Sequence, residues 1–122
     1  MKKRKILICG SRDFRPLSKV RDYVEGLSAE FQLTPVHLIV GDARGVDRVA
    51  YNTAKKWKVS VKRYKAAWEV QGRRAGIVRN LEMLDQMPSL VVAFWDGESS
   101  GTKFMIETCL KRHINLKVVF EF

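Results

Sequence analysis

"LVVAFWDGESSGTKFMIE", Leu90 to Glu107, passes from an unbroken apolar run through a Gly/Ser/Asp bend into a helix-like pattern. The run from Leu90 to Trp95 is the most hydrophobic in the chain and has no polar alternate face, so it reads as a central strand buried on both sides. Beyond the bend, Phe104, Met105, Thr108, Cys109 and Arg112 recur at helical spacing, and "LKVVFEF" closes the chain as a further strand. Strand, small-residue turn and helix follow one another here within a few residues.

The same sequence of signals repeats towards the N-terminus. Ile6 to Cys9 reads as a short buried strand, followed by Leu17, Val20, Val24, Leu27 and Phe31 on one helical face. Val36 to Val40 is a second strand, followed by Val46, Val49, Ala50, Ala54 and Trp57. Val59 to Tyr64 alternates as a half-exposed or edge strand, and Ile77, Leu81, Leu84 and Met87 mark the helix after it. Five strand signals interleaved with four helix signals predict a parallel sheet, because parallel neighbours need crossovers and a helix is the usual one. The expected architecture is α/β, a three-layer Rossmann-like domain over residues 1–122 with strand order 3-2-1-4-5 and helices on both faces. All strand-to-helix loops then emerge at the carboxyl edge, and the loops after the first and fourth strands lie side by side.

Composition sets the outer limits. At 122 residues with 46% hydrophobic content the chain suits one core. No apolar stretch reaches the roughly 20 residues that span a bilayer, and "MKKRK" leads into too short an apolar run for a secretory signal, so a cytoplasmic protein without membrane contact is expected. Cys9 and Cys109 sit in apolar contexts without a C-x-x-C or a neighbouring His, so both read as reduced core thiols; no metal site or resident cofactor is expected. The net charge of +10 predicts attraction to phosphate-bearing partners. Lys55, Lys56, Lys58, Lys62, Lys65, Lys111 and Arg112 read either as solvated faces or as a nucleic-acid footprint, and charge alone does not choose.

The loops at the carboxyl edge are "CGSRDF", "VGDARGVD", "AAWEVQGRRAGIVRN" and "WDGESSGT". Gly10, Gly45 and Gly101 stand at helix starts or turns, where the missing Cβ permits a left-handed φ and lets an anion approach backbone N–H groups. Ser99, Ser100 and Thr102 suit either a helix cap or hydroxyl donation to phosphate oxygens. Neither G-x-G-x-x-G nor the Walker A pattern occurs. The topology nevertheless sends these turns, with Arg12, Arg44, Arg73, Arg74 and Arg79, to one rim of the sheet, and a phosphate-bearing small ligand is the expected occupant. Trp68 and Trp95 are placed either to stack on a base or to cover the core.

"GSRDF", "GDARGVDRVA", "AGIVRNLEML" and "VVAFWDGESSGT" occur in the order and spacing of the YspA/YpsA-like families of the SLOG superfamily, which the chain resembles from Ile6 to about Val119. That superfamily also holds the LONELY GUY-type phosphoribohydrolases and the DNA-processing protein A family. The resemblance implies a Rossmann-like fold binding a nucleotide or nucleotide-derived ligand. It places Gly10, Ser11, Arg12, Gly41, Arg44, Gly45, Asp47, Arg79, Asn80, Ser100, Gly101 and Thr102 at the matching positions, and Ser99 joins them as a cap.

The chain departs from the LONELY GUY-type pattern where catalysis would need charge. Phe104 and Met105 stand where an acid follows the last-loop Thr, and Asn80 replaces the Lys of an Arg-Lys pair. In the YspA-like pattern an Asp often precedes the Trp, where this chain has Ala67. N-glycosidic cleavage wants a carboxylate near the anomeric carbon. Arg79 and Glu107 are the candidate catalytic pair under that reading, with Asp47, Asp96 and Glu98 the other acids near the rim. The expected function is a binding module or sensor for a nucleotide or nucleotide-derived phosphate ligand at the carboxyl edge of the sheet, with a nucleoside 5'-monophosphate phosphoribohydrolase and a single-stranded nucleic-acid binding protein as the alternatives. A homo-oligomer that shares the site stays open as well.

Overall fold

Residues 3–31 and 34–121 are described by the structure, a computed structural model. In the first strand, β1 (Arg4–Gly10), alternate side chains enter opposite cores, Ile6 and Ile8 on one face and Leu7 and Cys9 on the other. This period of two, buried on both faces, is what a central strand requires. The remaining elements are α1 (Ser18–Phe31), β2 (Val36–Val40), α2 (Val46–Lys56), β3 (Ser60–Arg63), α3 (Trp68–Gln71), a 3₁₀ turn (Gly72–Arg74), α4 (Ala75–Leu84), β4 (Leu90–Phe94), α5 (Ser100–Lys111) and β5 (Leu116–Val119).

The sheet is fully parallel with order β3-β2-β1-β4-β5, as the alternation of elements predicts. Helices α1 and α2 cover one face, through Val20, Val24, Leu27, Val46, Ala50 and Ala54 packed on Ile6, Ile8, Leu38, Val40, Val92 and Phe94. Helices α4 and α5 cover the other, through Met83, Leu84, Met105 and Cys109 against Leu7, Ile39, Val91 and Ala93. Each fully buried Ile, Leu or Phe contributes roughly 1.5–3 kcal/mol, so the two clusters hold the sheet between its layers. Both cysteines are free and buried, and burial pushes the Cys109 thiol up to about 11. Among the described residues no helix is long and apolar enough to cross a membrane.

Several side chains depart from the expected stripes. Trp57 is 48% exposed because α2 stops at Lys56, and Lys58 turns left-handed (φ 57°) to let the Val59 amide close back on the Ala54 carbonyl at 2.8 Å. Ile77 and Met87 are also exposed; the buried stripe of α4 is Ala75, Asn80, Met83 and Leu84, and Met87 lies past the helix end. The third loop contains the short helix α3, where a loop was expected. Only Gly45 of the three glycines expected to need it takes a left-handed φ, at 80°; in the fourth loop that role falls to Gly97, at 85°. The Phe31 side chain, Met1, Lys2 and Phe122 lie outside the described residues.

Candidate functional site

Because β1 pairs with β4 up to Gly10 and Phe94, the two chains leave the sheet together. The clasp between them is Ser11, 1% exposed. Its amide donates to the Phe94 carbonyl (2.9 Å), and its hydroxyl accepts from the Asp96 amide (3.2 Å) and lies 3.4 Å from the Thr102 hydroxyl. Gly10 is required at this junction, since a Cβ there would stand 2.7 Å from both the Phe94 carbonyl oxygen and a Val46 methyl.

Local chemistry then shapes the fourth loop. Asp96 Oδ1 accepts from the Glu98 (2.9 Å) and Ser99 (2.8 Å) amides, and these bonds hold its carboxyl below the usual range. Ser99 is the N-cap of α5, accepting from the Thr102 amide (3.5 Å). The Ser100 and Gly101 amides in the first turn have no carbonyl four residues back to bind, and they border the crevice with the positive end of the helix dipole. Trp95 braces this loop through its indole N–H to the Ser99 carbonyl (3.1 Å), with its ring 6.1 Å from that of Phe120, and does not border the crevice.

The crevice has a volume of about 600 Å³. Of the residues expected from the sequence, Gly10, Arg12, Asp47, Arg79, Asn80, Ser99, Ser100, Gly101 and Thr102 border it. So do Arg73 and Trp68, whose ring would lie 3.4 Å from a Cβ at Gly76. Arg12 and Arg73 are exposed, and among the described residues neither is in a salt bridge.

Arg79 differs. Its Nη1 donates to Asp42 Oδ1 at 2.7 Å and its Nε to Asn80 Oδ1 at 3.3 Å, so much of its charge is spent inside the protein. Beside it Asp47 is 5% exposed and accepts from the Ala43 amide (3.1 Å). Burial pushes the Asp47 carboxyl up to about 6, against the opposing pull of Arg79 and of that amide. Gly41 makes room for this group: a Cβ there would sit 2.5 Å from Asp47 Oδ2 and 3.1 Å from the Arg79 guanidinium carbon.

Five expected residues do not border the crevice: Ser11, Gly41, Arg44, Gly45 and the exposed Arg74. Ser11 and Gly41 act from behind it, as described. Gly45 lets the chain pass the Arg12 carbonyl, which a Cβ would meet at 2.4 Å. Arg44 points out to a surface pairing with Asp13 at 3.4 Å. Glu107 is exposed and also lies off the crevice, because five residues beyond Thr102 the helix has turned well away at 100° per residue. Sequence reasoning passed over Asp42, whose signal was an acid between Gly41 and Ala43 in a rim otherwise rich in Arg.

No protein-family model matches the chain. The chain is 33% identical over 118 residues to the gene 61 protein of Mycobacterium phage D29, covering 91% of this chain and 92% of that protein. In structure it resembles DNA processing protein A from Streptococcus pneumoniae, with a TM-score of 0.61 at 13% identity, which shows a shared Rossmann-like fold. The likeness covers 96% of this chain but only 59% of the pneumococcal one.

Proposed function

The chain belongs to the family of the gene 61 protein of Mycobacterium phage D29, and for this member we propose a binding module for a nucleotide or nucleotide-derived ligand in the carboxyl-edge crevice. One observation carries the reading: two guanidiniums, Arg12 and Arg73, which form no salt bridge among the described residues, border the same crevice as the open first turn of α5. Backbone amides and guanidiniums converging on one concave surface suit a phosphate. Trp68, 47% exposed at the same crevice, offers a flat ring for a base. The fold shared with DNA processing protein A and the motifs of the SLOG superfamily accord with nucleotide chemistry.

The test is mass spectrometry of small molecules released on denaturation, with calorimetric titration of AMP and ADP-ribose. Binding in the micromolar range, weakened at least tenfold in the Arg12→Ala, Arg73→Ala double variant, is the outcome this reading requires. The absence of any released nucleotide and of binding at high micromolar concentration overturns it.

A second reading, hydrolysis of a nucleoside monophosphate, draws on Asp47 rather than Glu107. A carboxyl group bordering the crevice with a pKa near 6 can hold or accept a proton close to neutral pH. Water added across the N-glycosidic bond would leave free base and ribose 5'-phosphate. Chromatography of incubated nucleotides checks this: base should appear with the wild type and not with Asp47→Asn, and a flat trace across the common nucleotides removes the reading.

A further inference from the structure

From Arg48 to Trp68 the chain carries seven Lys and Arg residues and no Asp or Glu. Helix α2 and strand β3 bring this segment onto one side of the molecule, at the edge of the sheet, since among the described residues β3 pairs only with β2. Lys55, Lys56, Lys58, Lys62 and Arg63 are all exposed, and among the described residues none of them is in a salt bridge. Lys3 joins them: with Lys55 and Lys58 it lines a shallow groove of about 520 Å³ floored by Val59, Ser60 and Val61. This groove shares no residue with the crevice.

Aromatic rings alternate with these charges. Lys55 Nζ and the Arg63 guanidinium lie 5.6 and 4.5 Å from the centre of the same Tyr51 ring, and Lys62 Nζ lies 4.8 Å from that of Tyr64. Lys56 Nζ lies 5.8 Å from the half-exposed Trp57 ring. The field of the patch is felt by the nearby His37, whose pKa is lowered first by burial and then by Lys3, Lys5 and Lys62. Uncompensated cations at this density repel one another, and a polyanion relieves that repulsion while releasing its own counterions.

We propose that the face formed by the outer side of α2 and the edge strand β3 binds single-stranded nucleic acid, with phosphates along Lys3, Lys55, Lys58 and Lys62 and a base stacked on Trp57. The exposed indole separates a single strand from other polyanions. A duplex keeps its base faces stacked inside, and an acidic peptide has no such faces to offer. An anionic lipid surface would call for an apolar ridge to insert, and from Arg48 to Ala67 Trp57 is the one strongly exposed large apolar side chain.

The experiment is fluorescence anisotropy with a labelled oligothymidylate over a salt series. Wild-type protein should bind it with log K falling linearly against log salt. The Lys55→Glu, Lys58→Glu, Lys62→Glu variant, shown to be folded by circular dichroism and an unchanged urea midpoint, should weaken binding on the order of tenfold or more and flatten the slope. Trp57→Ala should weaken it roughly fivefold to a hundredfold, and Trp57→Phe much less. Saturating AMP should leave oligothymidylate affinity unchanged, which keeps this face distinct from the crevice. The proposal is overturned by unchanged affinity in the triple Lys variant, by competition from AMP, or by duplex DNA, dextran sulfate or anionic vesicles binding as tightly as oligothymidylate with no effect of Trp57→Ala.

Discussion

Arg79 reaches from α4 to the loop after β2 and donates from Nη1 to Asp42 Oδ1 over 2.7 Å, with side-chain exposures of only 12% and 24%. A pair so poorly hydrated loses more when one partner is removed than the intact pair contributes, because the survivor keeps its desolvation cost. Arg79→Ala should therefore lower unfolding free energy by about 3 kcal/mol. Asp42→Asn made in that background should cost far less than Asp42→Asn alone. Urea denaturation of the four proteins in the cycle measures both quantities.

Asp47 makes stability depend on pH. Its folded pKa of about 6 stands above the ordinary 3.8, so the folded state holds the proton more tightly than the unfolded chain. The Asp47 contribution is fully present below the unfolded pKa, and it is lost as pH rises through about 6. The lost amount is on the order of 3 kcal/mol. His37 acts in the opposite sense, since its lowered pKa adds stability above 6.5 that disappears on acidification. The difference between wild type and Asp47→Asn isolates the carboxyl: from pH 4 to pH 8 the wild type should lose stability relative to the variant, as read from urea midpoints at each pH.

Ser11 holds the first and fourth loops together from inside. Ser11→Ala removes the acceptor for the Asp96 amide and the neighbour of the Thr102 hydroxyl. It should cost about 1–2 kcal/mol. Because Thr102 and Ser99 border the crevice, nucleotide affinity should fall with it. Calorimetry beside a thermal melt separates the two effects.

Gly10 and Gly101 look alike in sequence and should respond oppositely. Gly10→Ala drives a Cβ to 2.7 Å from backbone oxygen and the Val46 side chain, a clash worth about 2 kcal/mol or more. At Gly101 a new Cβ meets nothing within 4 Å and the backbone is not left-handed, so Gly101→Ala should stay within about 0.5 kcal/mol of wild type. Its methyl group would border the crevice beside the first-turn amides, so ligand affinity should drop while stability holds.

Period and punctuation in the sequence made the architecture legible. The double-sided apolar runs at Leu7 to Cys9 and Val91 to Phe94 can be satisfied only between two layers, and the small-residue bends after them mark the carboxyl edge of the sheet. Ser99 and Thr102 were legible for a local reason, since capping works over three or four residues of one chain. Their position on the crevice followed from the parallel topology.

Polar partnership was decided only by the tertiary structure. Arg79 and Asp42 are 37 positions apart, and nothing local distinguishes that guanidinium, folded back onto a carboxylate, from the exposed one of Arg73, which forms no salt bridge among the described residues. Arg44 turned outward to Asp13, and Glu107 rotated away on α5, for a similar reason. Apolar burial is summed over a whole face and leaves a repeating trace in the sequence. A hydrogen bond or ion pair depends on a few tenths of an ångström between atoms that only the folded chain brings together.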